Sequence, residues 1–558
     1  MPDEKIGIIC KGRRGEAIAF FFARRRFQVY IYELDRERAN EYIDGSRKSI
    51  EIKDLKGKKI LRPIDSSRMK WVERLEDLRE SDYVIEATEA DIETRREYLK
   101  KVEGFLSPQV PIISHDFLHV PGDLAAALKD SSRFLAAYFW DIDYTGNSVE
   151  LVVHPLTSMQ ILNRVKVFFK KAGLLCDHLK ECVGYIHNRV GLLGIQNLFR
   201  MYDQKILSYD NLSKYFVYNR HEPYFMTLEL QKEIRTELYH LLPLFKKMNK
   251  HYGPRFYLPE FLKQDFTKES LEETIRQSSV AYPVDEKDIP QDPQWAAGVN
   301  GEIENIFISG IQLIHNNLIF PLIKYKKIYF ASPQDPYFSL LEKYHPRLYQ
   351  QVMEKAVFIE GDSSVTVDLI IDFSIQKYDE KVARVKSLQD RFGDDVPLLL
   401  NSPIYKIEDI ARDAPGPRMI FGMYTQKNYL KNTEIVLTPS TDREIYLALR
   451  AFLKQIAGDC IETGDAPVRP LYLMIASKWL ESVRVLEEGL ADIEAIEFLG
   501  VDRKVFDDID MFGLNNLITT CEYLKDHYPN VCALPGIVME MEKENKLGYA
   551  TGTGFLNH

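Results

Sequence analysis

A short run near the start of the chain has the residue types and spacing to hold a diphosphate. Cys10, Gly12 and Gly15 read C-x-G-x-x-G, with Arg13 and Arg14 inside the loop and Glu33 18 positions beyond Gly15. Glycines let a pyrophosphate reach the backbone, a following helix N-terminus attracts its charge, and an acid bonds the ribose hydroxyls. That is the chemistry of a dinucleotide cradle. Arg13 and Arg14 either contact phosphate or point to solvent. Cys10 stands where the first glycine is usual, and the alternative is a glycine turn in an empty βαβ unit. Further along, His115 and His119 lie close together in one loop, and Glu150 sits in an apolar run that requires it to find a hydrogen bond or a proton.

The elements that must position these groups follow from periodicity. Residues 6–9 form a short apolar strand, 17–25 a helix and 29–32 a second strand ending at Glu33. Residues 82–87 predict a buried strand with Glu86 near its end. An amphipathic helix follows at 92–105, with Ile92, Tyr98, Leu99, Val102 and Phe105 inward. Strands at 110–114, 133–140 and 149–153 complete an alternation of strands and helices, which predicts a parallel sheet wound on both faces. Between Glu33 and residue 82 the basic residues Arg47, Lys48, Lys53, Lys56, Lys58 and Lys59 predict a solvated helix pair or a surface for a phosphate-bearing ligand such as coenzyme A. Arg24, Arg25 and Arg26 close a helix, where cations suit the dipole.

At 558 residues the chain has room for three or four domains, and 45% hydrophobic with 28% charged residues is ordinary for a globular protein. A net charge of −10 argues against general nucleic-acid affinity. Cys10, Cys176, Cys182, Cys460, Cys521 and Cys532 show no C-x-x-C spacing and read as free thiols, with no metal site. No basic-then-apolar leader and no apolar run of membrane-spanning length is present, so the cytoplasm is the expected compartment.

From residue 183 helices dominate, and a Pro-, Asp- and Gln-rich linker lies at 279–299. Then the pattern restarts. Asp372, Arg418 and Glu434 repeat Glu86, Arg133 and Glu150 at offsets of 286, 285 and 284 residues, whereas Gly310 follows Cys10 by 300. An internal duplication is expected, its second copy about 14 residues shorter in the charged stretch. The expected fold class is α/β: two Rossmann-type doubly wound domains (1–183 and 301–466), each followed by an all-α domain (184–280 and 467–558), joined by a linker at 281–300. The two helical domains are expected to pack together as an intramolecular pseudo-dimer, with or without further oligomerisation.

These pieces resemble the 3-hydroxyacyl-CoA dehydrogenase family, in tandem. The matches are the C-x-G-x-x-G loop with Glu33, VIEATEADIE, RFLAAYFWD, VELVVHPLTS and GYIHNRVG in the first copy. In the second they are VLEEGLADIE and the terminal GYATGTGF. The resemblance implies NAD as cofactor, an acyl-CoA or related 3-hydroxy acid as substrate, and hydride transfer at a site in the first copy. The alternative is a catalytically silent homologue that binds dinucleotide or acyl-CoA and serves a structural or regulatory role.

Position by position, the resemblance places the orienting acid at Glu150 and the helical asparagine at Asn188. It puts the catalytic base at Tyr138 instead of a histidine. Glu86 and Asp141 fall beside the cofactor. The family's Ser-Asn-Thr-Ser loop becomes Ser114, His115, Asp116 and Phe117, so His115 or His119 is the candidate replacement base. Tyr138 has a reference pKa near 10, and ionising it at neutral pH costs about 4 kcal/mol; its other reading is a core tyrosine bonded to Glu150. In the second copy the base falls at Met423 and the asparagine at Tyr472. Glu434 is left without an expected partner, and Gln312 and His315 fill the glycine loop. That half reads as a scaffold that no longer binds nucleotide.

Overall fold

The computed structural model describes all residues except 1–3, 54–58, 66, 89, 140–147, 219–233, 265, 268–269, 278–302, 360–364, 426–432, 439, 441, 459 and 500–503. The linker at 281–300 and Asp141 therefore lie outside the described residues.

Alternating apolar runs make two eight-stranded sheets. The first contains β1 (Lys5–Cys10), β2 (Gln28–Glu33), β5 (Met69–Trp71), β6 (Tyr83–Ala87), β7 (Ile112–Ser114), β8 (Phe134–Tyr138), β9 (Ser148–Val153) and β10 (Leu175–Lys180). Its order is β10-β9-β8-β7-β6-β1-β2-β5. Every neighbouring pair is parallel except β8 with β9, where Tyr138 lies opposite Glu150.

The second sheet repeats this plan. It contains β11 (Asn305–Ser309), β12 (Lys327–Phe330), β13 (Ala356–Phe358), β14 (Leu369–Asp372), β15 (Leu398–Asn401), β16 (Ile420–Tyr424), β17 (Glu434–Leu437) and β18 (Ile461–Gly464). The order β13-β12-β11-β14-β15-β16-β17-β18 matches the first sheet strand for strand. Its one antiparallel pair, β16 with β17, sets Tyr424 opposite Glu434. A parallel sheet covered on both faces is apolar throughout, which is why β6, β8 and β16 are buried at every position.

One expectation is corrected between β2 and β5. The Arg36–Ile43 helix is followed by an antiparallel hairpin of β3 (Ser49–Lys53) and β4 (Lys59–Pro63), not by a second helix. Ile50 and Ile52 alternate with polar neighbours, a period of two that the surrounding charges obscured. Lys56 and Lys58 of the basic cluster lie outside the described residues.

Each sheet hands over to helices. Tyr185–Asp203 starts the first helical unit and Pro470–Glu487 the second, and these two helices pack against each other. Close approach is possible because Gly194 faces the other helix. A Cβ there would sit 3.1 Å from both Lys478 Cδ and Met474 Cγ. At one end of the contact the buried Arg189 meets the buried Glu481 at 2.6 Å and also pairs with Glu488 at 2.7 Å. One apolar core runs from the Tyr185–Asp203 helix into the second sheet, while the first sheet has a separate core on each face.

Candidate functional site

The glycine loop closes over the end of β1. Gly12 has φ +81°, and a Cβ there would meet no atom within 4 Å. The helix Arg13–Ala23 begins immediately after it with no side-chain cap on its first turn. Gly15 serves a different need. Its Cβ would lie 1.9 Å from Cys10 Cβ, so only glycine lets the helix pack on β1. Helix N-terminus, positive-φ glycine and free volume together fit a diphosphate.

Glu33 braces this loop from beneath. Its oxygens accept the Gly12 N–H at 3.1 and 3.0 Å and the Asp35 N–H at 3.1 Å, and the Cys10 thiol approaches at 3.3 Å. The side chain is fully buried, and burial raises its pKa despite those donors. The carboxylate points into the loop, where the N–H groups of the turn bind it. Glu86 is similarly committed. It accepts from Arg95 at 2.7 Å, Ser114 Oγ at 2.7 Å and the Thr88 N–H at 2.8 Å, which makes it a brace of this end of the sheet.

Arg95 is a residue that sequence reasoning missed. It shares the buried face of the Ile92–Glu103 helix with Leu99 and Val102. A cation inside an apolar stripe signals a buried carboxylate partner. Beyond Glu86, Arg95 holds Asp116 at 3.0 Å. Burial pushes the Asp116 carboxyl up, but Arg95 and His119 together hold it down at about 2. Asp116 Oδ1 accepts the Leu118 N–H at 2.7 Å, fixing the loop, and Oδ2 lies 2.9 Å from His119 Nδ1. The result is a positioned carboxylate–imidazole pair, signalled in the sequence by Asp-x-x-His in a loop after a strand.

His119 is partly exposed, and its backbone carbonyl accepts the Tyr185 hydroxyl at 3.1 Å. Tyr185 opens the first helical unit with φ +55°, directly after Gly184 at φ +80°. A bulky residue in the left-handed region costs of order 1–3 kcal/mol, and such strain concentrates at functional sites. Beside it, Phe117 lies under the Arg14 guanidinium at 5.5 Å and against Tyr138. Arg14 thus reaches from the glycine loop to the His119 loop. Of Arg13 the backbone is described but not the side chain.

The positions that the sequence assigned to proton transfer form an uncharged cluster. The Tyr138 hydroxyl donates to Asn188 Oδ1 at 3.5 Å, not to Glu150. His115 is buried against Tyr138 and Phe139, and its Nδ1 lies 3.2 Å from Ala137 O. Burial first, then Arg14, push His115 down to about 3, so it is neutral. Glu150 Oε1 accepts the His187 N–H at 2.9 Å, and burial lifts its carboxyl to about 8, so it is mostly protonated at neutral pH.

In the second half, Glu434 does have partners, contrary to expectation. It accepts the Leu471 N–H at 2.6 Å and the Tyr215 hydroxyl, the latter from the first helical unit. The second glycine turn is closed: a Cβ on Gly310 would lie 2.5 Å from Ser374 N. His315 folds back so that its Nδ1 accepts the Gln312 N–H at 3.3 Å, covering the helix start with its own side chain.

Residues 5–182 match the family model described as the 3-hydroxyacyl-CoA dehydrogenase NAD-binding domain. The human lambda-crystallin homolog is 22% identical over 210 residues, 37% of this chain and 66% of that protein. A probable 3-hydroxyacyl-CoA dehydrogenase of Caenorhabditis elegans is 24% identical over 200 residues, 34% of this chain and 67% of that protein. The chain therefore spans about two thirds of the length of these curated relatives. Among solved structures, the 3-hydroxybutyryl-CoA dehydrogenase of Escherichia coli K12 matches 98% of this chain and 99% of its own. Its TM-score is 0.58 at 13% identity, a likeness of fold across both halves.

Proposed function

Starting from a chain that belongs to the 3-hydroxyacyl-CoA dehydrogenase family, we propose that its leading half works as an NAD-dependent oxidoreductase on a 3-hydroxyacyl thioester or a related 3-hydroxy acid. His119 acts as the proton-transfer group in place of the family histidine. The Asp116–His119 pair carries this reading. In alcohol oxidation the substrate hydroxyl gives its proton to a base, and an imidazole does this best when a carboxylate fixes its orientation and stabilises its charged form. Asp116 holds Nδ1, which leaves Nε2 to take the hydroxyl proton. NAD, when bound, supplies the acceptor for the hydride from the same carbon. Gly12 and the first turn of the Arg13–Ala23 helix hold its diphosphate, with Arg14 beside them. Gly310 and His315 argue that the trailing half is a scaffold without a nucleotide site. Six free cysteines suit a reducing compartment such as the cytoplasm. No helix among the described residues is long and apolar enough to cross a membrane.

The uncharged Tyr138–His115–Glu150 cluster favours a second reading, a silent homologue that binds NAD or acyl-CoA without turnover. NADH formation from 3-hydroxybutyryl-CoA, measured beside NAD binding by calorimetry, decides between the two. Turnover that requires His119 supports the first, and tight NAD binding without any NADH supports the second.

A further inference from the structure

The Arg13–Ala23 helix has a second functional end. About 16 Å from the glycine loop, by its 11 residues at 1.5 Å each, its C-terminus borders a cavity of about 660 Å³. Arg24 and Arg26 line it from the end of the helix, Arg62 from β4, and Arg68 and Asp65 from the turn before β5, with Phe20 as an aromatic wall. Four arginines and one aspartate among its lining residues make this concavity basic, inside a chain whose net charge is −10.

Three of these arginines keep their charge without an ion-pair partner: among the described residues, no carboxylate lies in ion-pair range of Arg24, Arg26 or Arg62. Asp65 is occupied by its own turn, where Oδ1 accepts the Ser67 N–H at 3.0 Å and the Ser67 hydroxyl at 2.5 Å. The walls are held in place. Arg68 donates to the Arg26 carbonyl at 3.0 Å, tying the helix end to the turn, and Arg24 sits over Phe20. Arg25, by contrast, turns away and stacks on Phe21 at 3.5 Å. Arg26 holds φ +70° directly after the helix, where glycine or asparagine would cost less, so the position keeps an arginine against its backbone preference.

We propose that this cavity binds a small organic phosphate carrying at least two negative charges, such as a nucleoside diphosphate, at a site separate from the glycine loop. The volume lies within the range of small-ligand sites. Guanidinium forks match phosphate oxygens in pairs, and Phe20 offers a face for a flat ring. A nucleic-acid polymer is disfavoured because the rest of the surface is net negative.

The test is calorimetric titration of the full chain with ADP and, separately, with inorganic tripolyphosphate, in saturating NAD and physiological salt. One saturable site is expected for each probe. In Arg24→Gln/Arg62→Gln its affinity should fall about tenfold or more, as the loss of charge-assisted hydrogen bonds requires. In Gly12→Ala it should persist while NAD affinity drops. Both changed arginines are at the surface, and circular dichroism checks that the double variant folds. Absence of saturable binding, competition by NAD, or an affinity unchanged in the double variant would overturn the proposal. So would binding confined to DNA or to anionic vesicles. Because the probe is read without turnover, this outcome is independent of whether the chain oxidises a 3-hydroxyacyl substrate.

Discussion

Glu150 on β9 accepts the backbone N–H of His187 at 2.9 Å, inside the first turn of the helix that opens the first helical unit. Glu434 on β17 does the same for Leu471. Each acid anchors a helix start to the last antiparallel pair of its sheet. The residue opposite it across that pair is a tyrosine in both halves, Tyr138 and Tyr424, so the second-copy position expected at Met423 falls one residue later. An orphan N–H group at a buried helix end needs an acceptor, and that need accounts for both glutamates without any catalytic role.

The Glu150 carboxyl gives stability an unusual pH slope. Its pKa is raised from 4.5 to about 8 on folding. The native state therefore binds the proton more tightly. That contribution is complete below about pH 4.5 and is lost as pH rises through about 8, at up to about 1.4 kcal/mol per pH unit. Glu150→Gln keeps an acceptor for His187 and never ionises. Unfolding free energies at about pH 5 and about pH 9 should converge in the variant, leaving it the more stable protein at the alkaline end.

Arg189 holds the two helical units together. Glu481 also faces Arg484 and Arg255, at 3.0 and 3.2 Å, but Arg189 is its closest and most buried partner. Arg484 and Arg255 still compensate Glu481 without it, so Arg189→Met should cost about 2 kcal/mol in denaturant melts, the loss of its charge-assisted hydrogen bonds. Changing Glu481→Gln in the same chain should deepen that loss, since Arg484 and Arg255 then lose their carboxylate as well.

Gly12 and Gly15 differ in what they tolerate. Gly12→Ala meets no neighbour but must hold φ +81° and ψ −157°, a region essentially reserved for glycine, at about 1–3 kcal/mol. It should keep the fold and weaken NAD binding. Gly15→Ala collides with Cys10 and should lower thermal stability sharply, by about 1–3 kcal/mol or more.

His119 and Tyr138 separate the readings of the active site. His119→Ala should cut kcat by about 10² to 10⁴ with NAD affinity unchanged. Asp116→Asn should lower kcat in the same direction, because it removes the acceptor that orients the imidazole. Tyr138→Phe loses a long 3.5 Å hydrogen bond to Asn188 and should leave turnover within about threefold. A tyrosine variant as damaged as the histidine variant would return the base to Tyr138.

Much of this molecule was legible in its residue order. Apolar runs of four to six residues marked the strands, glycines marked the loop over β1, and near-constant offsets announced that the plan repeats. Such features depend on neighbours in the chain, so periodicity exposes them. The hairpin β3–β4 escaped because charges masked a period of two. What only the tertiary structure decided is where each polar side chain is satisfied. Glu33 turned under the loop, Arg95 gathered Glu86 and Asp116, His119 became oriented and His115 was buried. Arg24 and Arg26 met Arg62 across a cavity. A buried charge takes whichever partner the fold brings within about 3 Å, and for Glu33 with Gly12 and Arg95 with Asp116 that partner sits 21 residues away, beyond the reach of a local pattern.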